Sequence, residues 1–167
     1  MRKRLLLHTA AGILFVIALG TLCHFLYDWT GRGALVGLFT PVNESIWEHI
    51  KLLFFPMALY SVFMSRRLKE DFPCAGPALC AGILYGSILI PVLYYTYTGI
   101  LGKHYAAADI AIFFISVLAA FIRSYRLSIS CHTLGFRYLF LALDCLLAVS
   151  FWIFTFYPPA IPLFISP

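Results

Sequence analysis

The stretch Pro41-Val42-Asn43-Glu44-Ser45-Ile46-Trp47-Glu48-His49-Ile50-Lys51 decides how this chain folds. It places two carboxylates, an imidazole and an ammonium directly before the apolar run Leu52 to Ser65. The 14 residues of that run reach only about 21 Å as a helix, whereas the hydrocarbon core of a bilayer is about 30 Å thick. A helix that crosses a membrane here must therefore include the ionisable residues. Such groups are costly in lipid and usually face protein or water, so they are candidates for a functional site.

The composition is that of a membrane protein. Hydrophobic residues make up 62% of the 167 residues and charged residues only 11%, whereas a soluble domain is about 25% charged. We predict an all-α fold, an integral membrane bundle of five transmembrane helices, in a single domain over residues 1–167. The predicted spans are Leu5 to Tyr27, about Asn43 to Ser65, about Ala75 to Tyr97, about Tyr105 to Ile122 and about Tyr138 to Tyr157.

The basic residues predict the orientation, because cytoplasmic loops carry an excess of Lys and Arg. Nine of the 12 fall on one side of the predicted bundle: Arg2, Lys3, Arg4, Arg66, Arg67, Lys69, Arg123, Arg126 and Arg137. We expect an inner (plasma) membrane protein with a cytoplasmic N-terminus and an extracytoplasmic C-terminus. The net charge of +5 is then a topology signal, so no nucleic-acid partner is expected.

The cysteines are expected to pack as small apolar side chains. They show no Cys-x-x-Cys spacing, and only Cys23 is predicted near the outer face; the others are Cys74, Cys80, Cys131 and Cys145. We therefore expect neither a structural disulfide nor a cysteine zinc site.

The first span has one stripe of small and polar residues. Gly12, Gly20, His24 and Asp28 recur at multiples of four, so they share a helix face. The glycines predict close approach of a neighbouring helix, which would direct His24 and Asp28 toward the bundle. A His-Asp pair that only solvates the helix end is the alternative.

The second span has several polar residues at its start. Glu44 and Glu48 are four residues apart, and Ser45-x-x-Glu48 fits a capping box, so Glu48 has a structural alternative. Asn43 is a suitable N-cap. Lys51 is spaced to pair with Glu48, and Trp47 lies at the height of an aromatic belt.

These residues are expected to converge in one outward-facing pocket, because they share a membrane face. The candidate catalytic residues, which are also the candidate ligands of a divalent metal cofactor, are His24, Asp28, Glu44, Glu48 and His49. The candidate substrate-binding residues are Asn43, Trp47, Lys51, His104 and Asp109. Elsewhere, Asp144 should face protein, and the spacing of Ala78, Gly82 and Gly86 predicts a helix contact.

Four segments resemble those of a small bacterial family of multipass membrane proteins of unknown function. They are His24–Gly31, Leu38–Leu52 with its Pro-Val-Asn-Glu-Ser-x-Trp-Glu-His motif, Tyr95–Gly99 and Pro158–Phe164. This resemblance implies a membrane location and no activity. His24-x-x-x-Asp28 and Trp47-Glu48-His49 also resemble the emopamil-binding-type sterol isomerases, which implies carboxylates that line an apolar cavity and move a proton.

Three function classes remain open. An enzyme acting on a lipid or apolar small molecule would use the histidines and carboxylates for acid-base or metal-assisted chemistry. A proton- or cation-coupled transporter or channel subunit would use them as an ion site, and a homo-oligomer would supply a fuller pathway. A non-catalytic protein that binds a lipid or small molecule is the third class. Membrane lipid is the expected partner in each.

Overall fold

A computed structural model describes residues 2–166, and these residues form helices with no strand. The helices are α1 (Arg2–Trp29), the short α2 (Ala34–Gly37), α3 (Ile46–Leu68), α4 (Ala75–Leu101), α5 (Ala106–Ser130) and α6 (Arg137–Phe156). Two 3-10 helices occupy Leu134–Phe136 and Pro162–Phe164. The predicted all-α fold is confirmed, and each long helix extends beyond one or both ends of its predicted span.

Helix α3 is the core of the bundle. Twelve of its 23 residues are buried, against five of 28 in α1 and two of 20 in α6. It packs against both α1 and α4, and α4 packs in turn against α5 and α6. Glu48 and Lys51 of α3 are tolerated because protein, not lipid, surrounds the part of the helix in which they lie.

Among residues 2–166, four helices are long and apolar enough to cross a membrane: α1, α4, α5 and the segment Leu134–Phe156 that contains α6. The prediction of five spans is therefore not confirmed. Helix α3 is outside this set because Glu48, Lys51 and its terminal arginines lower its hydropathy. Part of the low hydropathy and most of the burial come from the first half of α3, where its neighbours enclose Glu48 and Lys51.

The cationic helix ends lie together at one end of the bundle. Arg4 at the start of α1 pairs with Asp71 in the α3–α4 loop at 2.6 Å. A disulfide joins Cys74 in that loop to Cys131 at the end of α5, with their Cα atoms 5.3 Å apart. The expectation of no structural disulfide was wrong, because a separation of 57 residues gives no local signal that these two ends meet.

The small-residue stripes are contact seams, as predicted. A Cβ atom at Gly12 would lie 2.5 Å from the Tyr60 ring, and one at Gly20 would lie 2.5 Å from the Leu52 carbonyl. A Cβ atom at Gly82 would overlap Ser124 of α5. Helices α1, α3, α4 and α5 therefore approach closely where glycine replaces a side chain.

Candidate functional site

The end of α1 and the start of α3 bring together two histidines and a glutamate. His24 lies one turn before the end of α1, Glu44 lies just before α3, and His49 lies in the first turn of α3. Glu44 Oε2 is 3.7 Å from His24 Nε2 and 3.4 Å from His49 Nε2. One ligand atom from each residue lies within 4.8 Å of the others. We call these three residues the His-Glu cluster.

The ring of His49 has a defined orientation. Its Nδ1 lies 2.9 Å from the Ser45 carbonyl, and an N–H at Nδ1 donating to that carbonyl leaves Nε2 with a free lone pair. The same Nε2 faces Glu44. The His24 ring lies beside it, with the two ring centroids 5.3 Å apart. A backbone carbonyl that fixes the tautomer of an imidazole is typical of metal-ligating histidines.

The spacing of the cluster suits a divalent metal. In a tetrahedral zinc site with bonds of about 2.0–2.1 Å, ligand atoms are separated by about 3.4 Å. The two separations from Glu44 Oε2 are 3.4 and 3.7 Å. The Glu44 side chain is 67% exposed, so the cluster opens outward from the bundle. Two imidazoles and one carboxylate are a ligand set found in catalytic zinc sites.

Glu48 and Lys51 form a separate, buried group on another face of α3. Lys51 Nζ donates to Glu48 Oε2 at 2.7 Å, to the Gly37 carbonyl at 2.9 Å and to Thr155 Oγ1 at 2.5 Å. The Val42 amide donates to the same Glu48 oxygen at 3.0 Å. The predicted pairing of Lys51 with Glu48 is confirmed. The sequence predicted that both residues lie in the outward-facing pocket. In the structure both side chains instead point into the bundle and are hydrogen-bonded there.

The Glu48–Lys51 pair connects three parts of the fold. It joins the α2 segment, through Gly37 and Val42, to α3 and to Thr155 near the end of α6. Ser45 is the N-cap of α3 and accepts from the Glu48 amide at 3.4 Å. The pair thereby positions the segment that contains Glu44. We assign Glu48 and Lys51 a positioning role.

Asp28 lies apart from the cluster. The chain turns after α1, at Gly31 and Arg32, which both have positive φ. This turn places Arg32 Nε 2.9 Å from Asp28 Oδ1, and their hydrogen bond raises the pKa of the Arg32 guanidinium. The expectation that Asp28 points into the bundle was wrong: its side chain is 68% exposed, because the helix ends one residue later.

His104 and Asp109 form a third group, at the α4–α5 connection. His104 Nδ1 is 3.3 Å from Asp109 Oδ2. The Tyr97 hydroxyl donates to the other carboxylate oxygen and accepts from the Tyr105 amide at 3.1 Å. These contacts close the connection locally. They do not include a residue of the His-Glu cluster, so the single pocket expected from the sequence is divided in the structure.

The remaining candidates stabilise the local fold. The Asn43 side chain accepts from the Ser45 amide at 2.9 Å, which shapes the turn into α3, and Ser45, not Asn43, is the N-cap. The Trp47 ring lies 4.8 Å from Phe151 and 4.9 Å from Phe164, centroid to centroid. It attaches the C-terminal segment to α3 and α6. A substrate-binding role for either residue stays a prediction.

Sequence reasoning missed two residues of these groups. Thr155 is the α6 partner of both Glu48 and Lys51, yet it lies in an aromatic run that gives no sign of a polar contact. Tyr97 binds Asp109, and its place in a Tyr- and Thr-rich stretch was the available signal. Both contacts were missed because they depend on which helices are neighbours, and the sequence alone does not show this.

Comparisons with known proteins give a family but no activity. No curated protein and no solved structure matches the chain, and nothing supports the resemblance to sterol isomerases. The match to a family of unknown function, DUF6512, covers residues 2–166. The expected relation to a family of unknown function is thus confirmed, while its motif stays a prediction. The chain belongs to the family of unknown function DUF6512.

Proposed function

We propose that His24, Glu44 and His49 bind a divalent metal ion, with zinc the best match, and that the protein hydrolyses a lipid or another apolar small molecule at this site. The observation that supports this proposal is the approach of three ligand atoms to within 4.8 Å. Three protein ligands leave a fourth position for water or substrate. A bound metal would supply a Lewis acid that polarises the carbonyl or phosphoryl oxygen of the substrate.

The residues around the cluster could orient its ligands and contact an apolar substrate. Ser45 orients His49 through its carbonyl, and the buried Glu48–Lys51 pair positions the chain on which Glu44 lies. The rings of Phe25 and Trp29 are exposed and stacked, 5.8 Å apart, next to His24. Exposed aromatic side chains of this kind offer an apolar surface for an acyl chain. An apolar substrate is therefore favoured over a charged, water-soluble one.

We propose that α3 is a fifth span. Its 23 residues extend about 34 Å at 1.5 Å per residue, which is enough to cross a bilayer. In this arrangement the N-terminus is cytoplasmic, in the inner membrane, because the arginine-rich ends lie together, and the Cys74–Cys131 pair at that end would be kept reduced there. The His-Glu cluster and the C-terminus are then extracytoplasmic. Helix α6 exposes most of its apolar surface, and membrane lipid or a second copy of the chain would cover it.

Transport is the alternative function, and the position of the cavity around Asp144 supports it less than it supports hydrolysis. A cation path of the kind expected for transport would run from the cluster past the acidic residue Asp144 of α6 to the cytoplasmic face. The cavity that includes Asp144 is lined by residues of α3, α4 and α6, and by none of the three cluster residues. The acid and the cluster are therefore parts of two separate sites, which suits local chemistry better than conduction.

The test measures turnover in vesicles of a total lipid extract that contain the purified protein. Product analysis by mass spectrometry should show a new lipid species that a chelator suppresses and zinc restores. Glu44→Gln and His49→Ala should each reduce its rate by more than the roughly 10–100-fold typical of losing an outer-shell partner. His104→Ala is the matched control, a histidine paired with a carboxylate elsewhere, and should keep the rate. Unchanged turnover in both cluster variants, or lost ion flux without a product, would contradict the proposal.

A further inference from the structure

An open groove of about 610 Å³ lies between α3, α4 and α6. Its walls are mostly apolar and include Phe54, Phe55, Ala58, Ile83, Leu141 and Ala148. Pockets for small organic ligands usually measure about 300–1,000 Å³ and combine apolar walls with a few polar groups. None of the His-Glu cluster residues lines this groove. It is a second site, independent of the proposed hydrolytic one.

One carboxyl group lines the groove, and its hydrogen-bond partner among the described residues is a thiol. Asp144 carries this carboxyl and is 8% exposed. Its Oδ1 atom accepts no hydrogen bond from any of residues 2–166. The Cys80 thiol lies beside the carboxyl, and a thiol is only a weak donor. Burying a carboxyl with so little compensation is unfavourable, and acids within membrane helices usually serve a ligand or a partner.

No cationic side chain of the described residues neutralises Asp144. The cationic residue that lines the groove is Arg137, seven residues before Asp144 in α6 and so about 10.5 Å away along the helix axis. Its guanidinium donates to the Tyr138 hydroxyl at 2.7 Å and lies over that ring. Arg137 is thus held at the end of the groove. The counter-charge of an ionised Asp144 would therefore come from a ligand.

We propose that the groove binds a lipophilic amine, with its ammonium group at Asp144 and its apolar body against α3 and α6. Charge complementarity selects the ammonium, and the apolar walls select the body. The depth of Asp144 argues against a phospholipid headgroup, because headgroup amines stay at the interface, close to the level of Arg137. This depth depends only on α6, one of the four helices apolar enough to span a membrane.

The test uses the full-length protein in phosphatidylcholine nanodiscs and the probe N,N-dimethyldodecylamine. The amine should raise the unfolding temperature saturably, and Asp144→Asn should shift the midpoint amine concentration by at least ten-fold, a ratio equivalent to about 1.4 kcal/mol. Asp71→Asn, a carboxylate paired with Arg4 outside the groove, is the matched control and should leave the midpoint unchanged. Dodecan-1-ol, which has the same chain and no charge, should not produce the effect.

Two further results decide the outcome if Asp144→Asn fails to fold. Ala58→Phe keeps Asp144 and fills the groove, so it should abolish the stabilisation by the amine. The proposal is overturned if dodecan-1-ol stabilises the wild-type protein as well as the amine does. An equal response of the wild-type and Ala58→Phe proteins, or of the wild-type and Asp144→Asn proteins, overturns it as well.

Discussion

At the scale of single residues, Lys51 shows how this chain accommodates a charge inside the helical bundle. Its side chain is completely buried, and its ammonium has one carboxylate, one carbonyl and one hydroxyl as acceptors within 2.9 Å. The attraction within an ion pair buried to this degree offsets the free-energy cost of removing both charges from water only when the remaining hydrogen bonds of the pair are satisfied. The hydrogen bonds of Lys51 and Glu48 are satisfied, so we infer that the pair fixes one arrangement of α3, α6 and the α2 segment.

We predict that Lys51→Met destabilises the protein by about 3–5 kcal/mol, because it leaves Glu48 buried without its cation. The double variant Glu48→Gln with Lys51→Met removes both charges and should recover most of that loss. The measurement is the free energy of unfolding in mixed detergent micelles. A single variant within about 1 kcal/mol of wild type, the range of an exposed pair, would show that the pair has no such role.

At the scale of helices, sequence patterns predicted where each helix lies in the chain better than they predicted which helices pack against one another. Apolar length found four of the long helices, and α3 was found by adding the ionisable residues that precede its apolar run. The eight-residue spacing of Gly12 and Gly20 predicted a contact seam, since this signal also lies within one helix. The pairing of Glu48 with Thr155 and the joining of Cys74 to Cys131 link residues 107 and 57 positions apart. No spacing rule reaches that far, so the division of the polar residues into separate groups required the fold.

Helix α3 gives the sharpest prediction at this scale. If α3 spans the membrane, the chain crosses five times and its two ends lie on opposite sides; if it does not, four crossings place them on the same side. We expect reporters fused after Arg67 and Arg126 to report the cytoplasm and a reporter at the C-terminus to report the outside. A C-terminal signal from the cytoplasm would remove α3 from the set of spans.

At the scale of the whole molecule, the His-Glu cluster exists only because α1 and α3 pack with their outer ends together. His24 comes from the end of one helix, and Glu44 and His49 come from the start of another. The sequence predicted these three residues among ten candidates, and the fold separated them from Asp28, Glu48, His104 and Asp109. Each of those four has a partner of its own. The cluster retains two imidazoles and a carboxylate that face one another.

The central claim is that this cluster binds a divalent metal, and X-ray absorption of the zinc-loaded protein tests it most directly. We predict one equivalent of zinc, coordinated by two imidazole nitrogens at about 2.0–2.1 Å with oxygen ligands completing a four-coordinate shell. In His49→Ala the signal of one imidazole should be lost, whereas His104→Ala should give the wild-type spectrum. Zinc that is not retained, or a shell of oxygens alone that is identical in His49→Ala and wild type, would contradict the account.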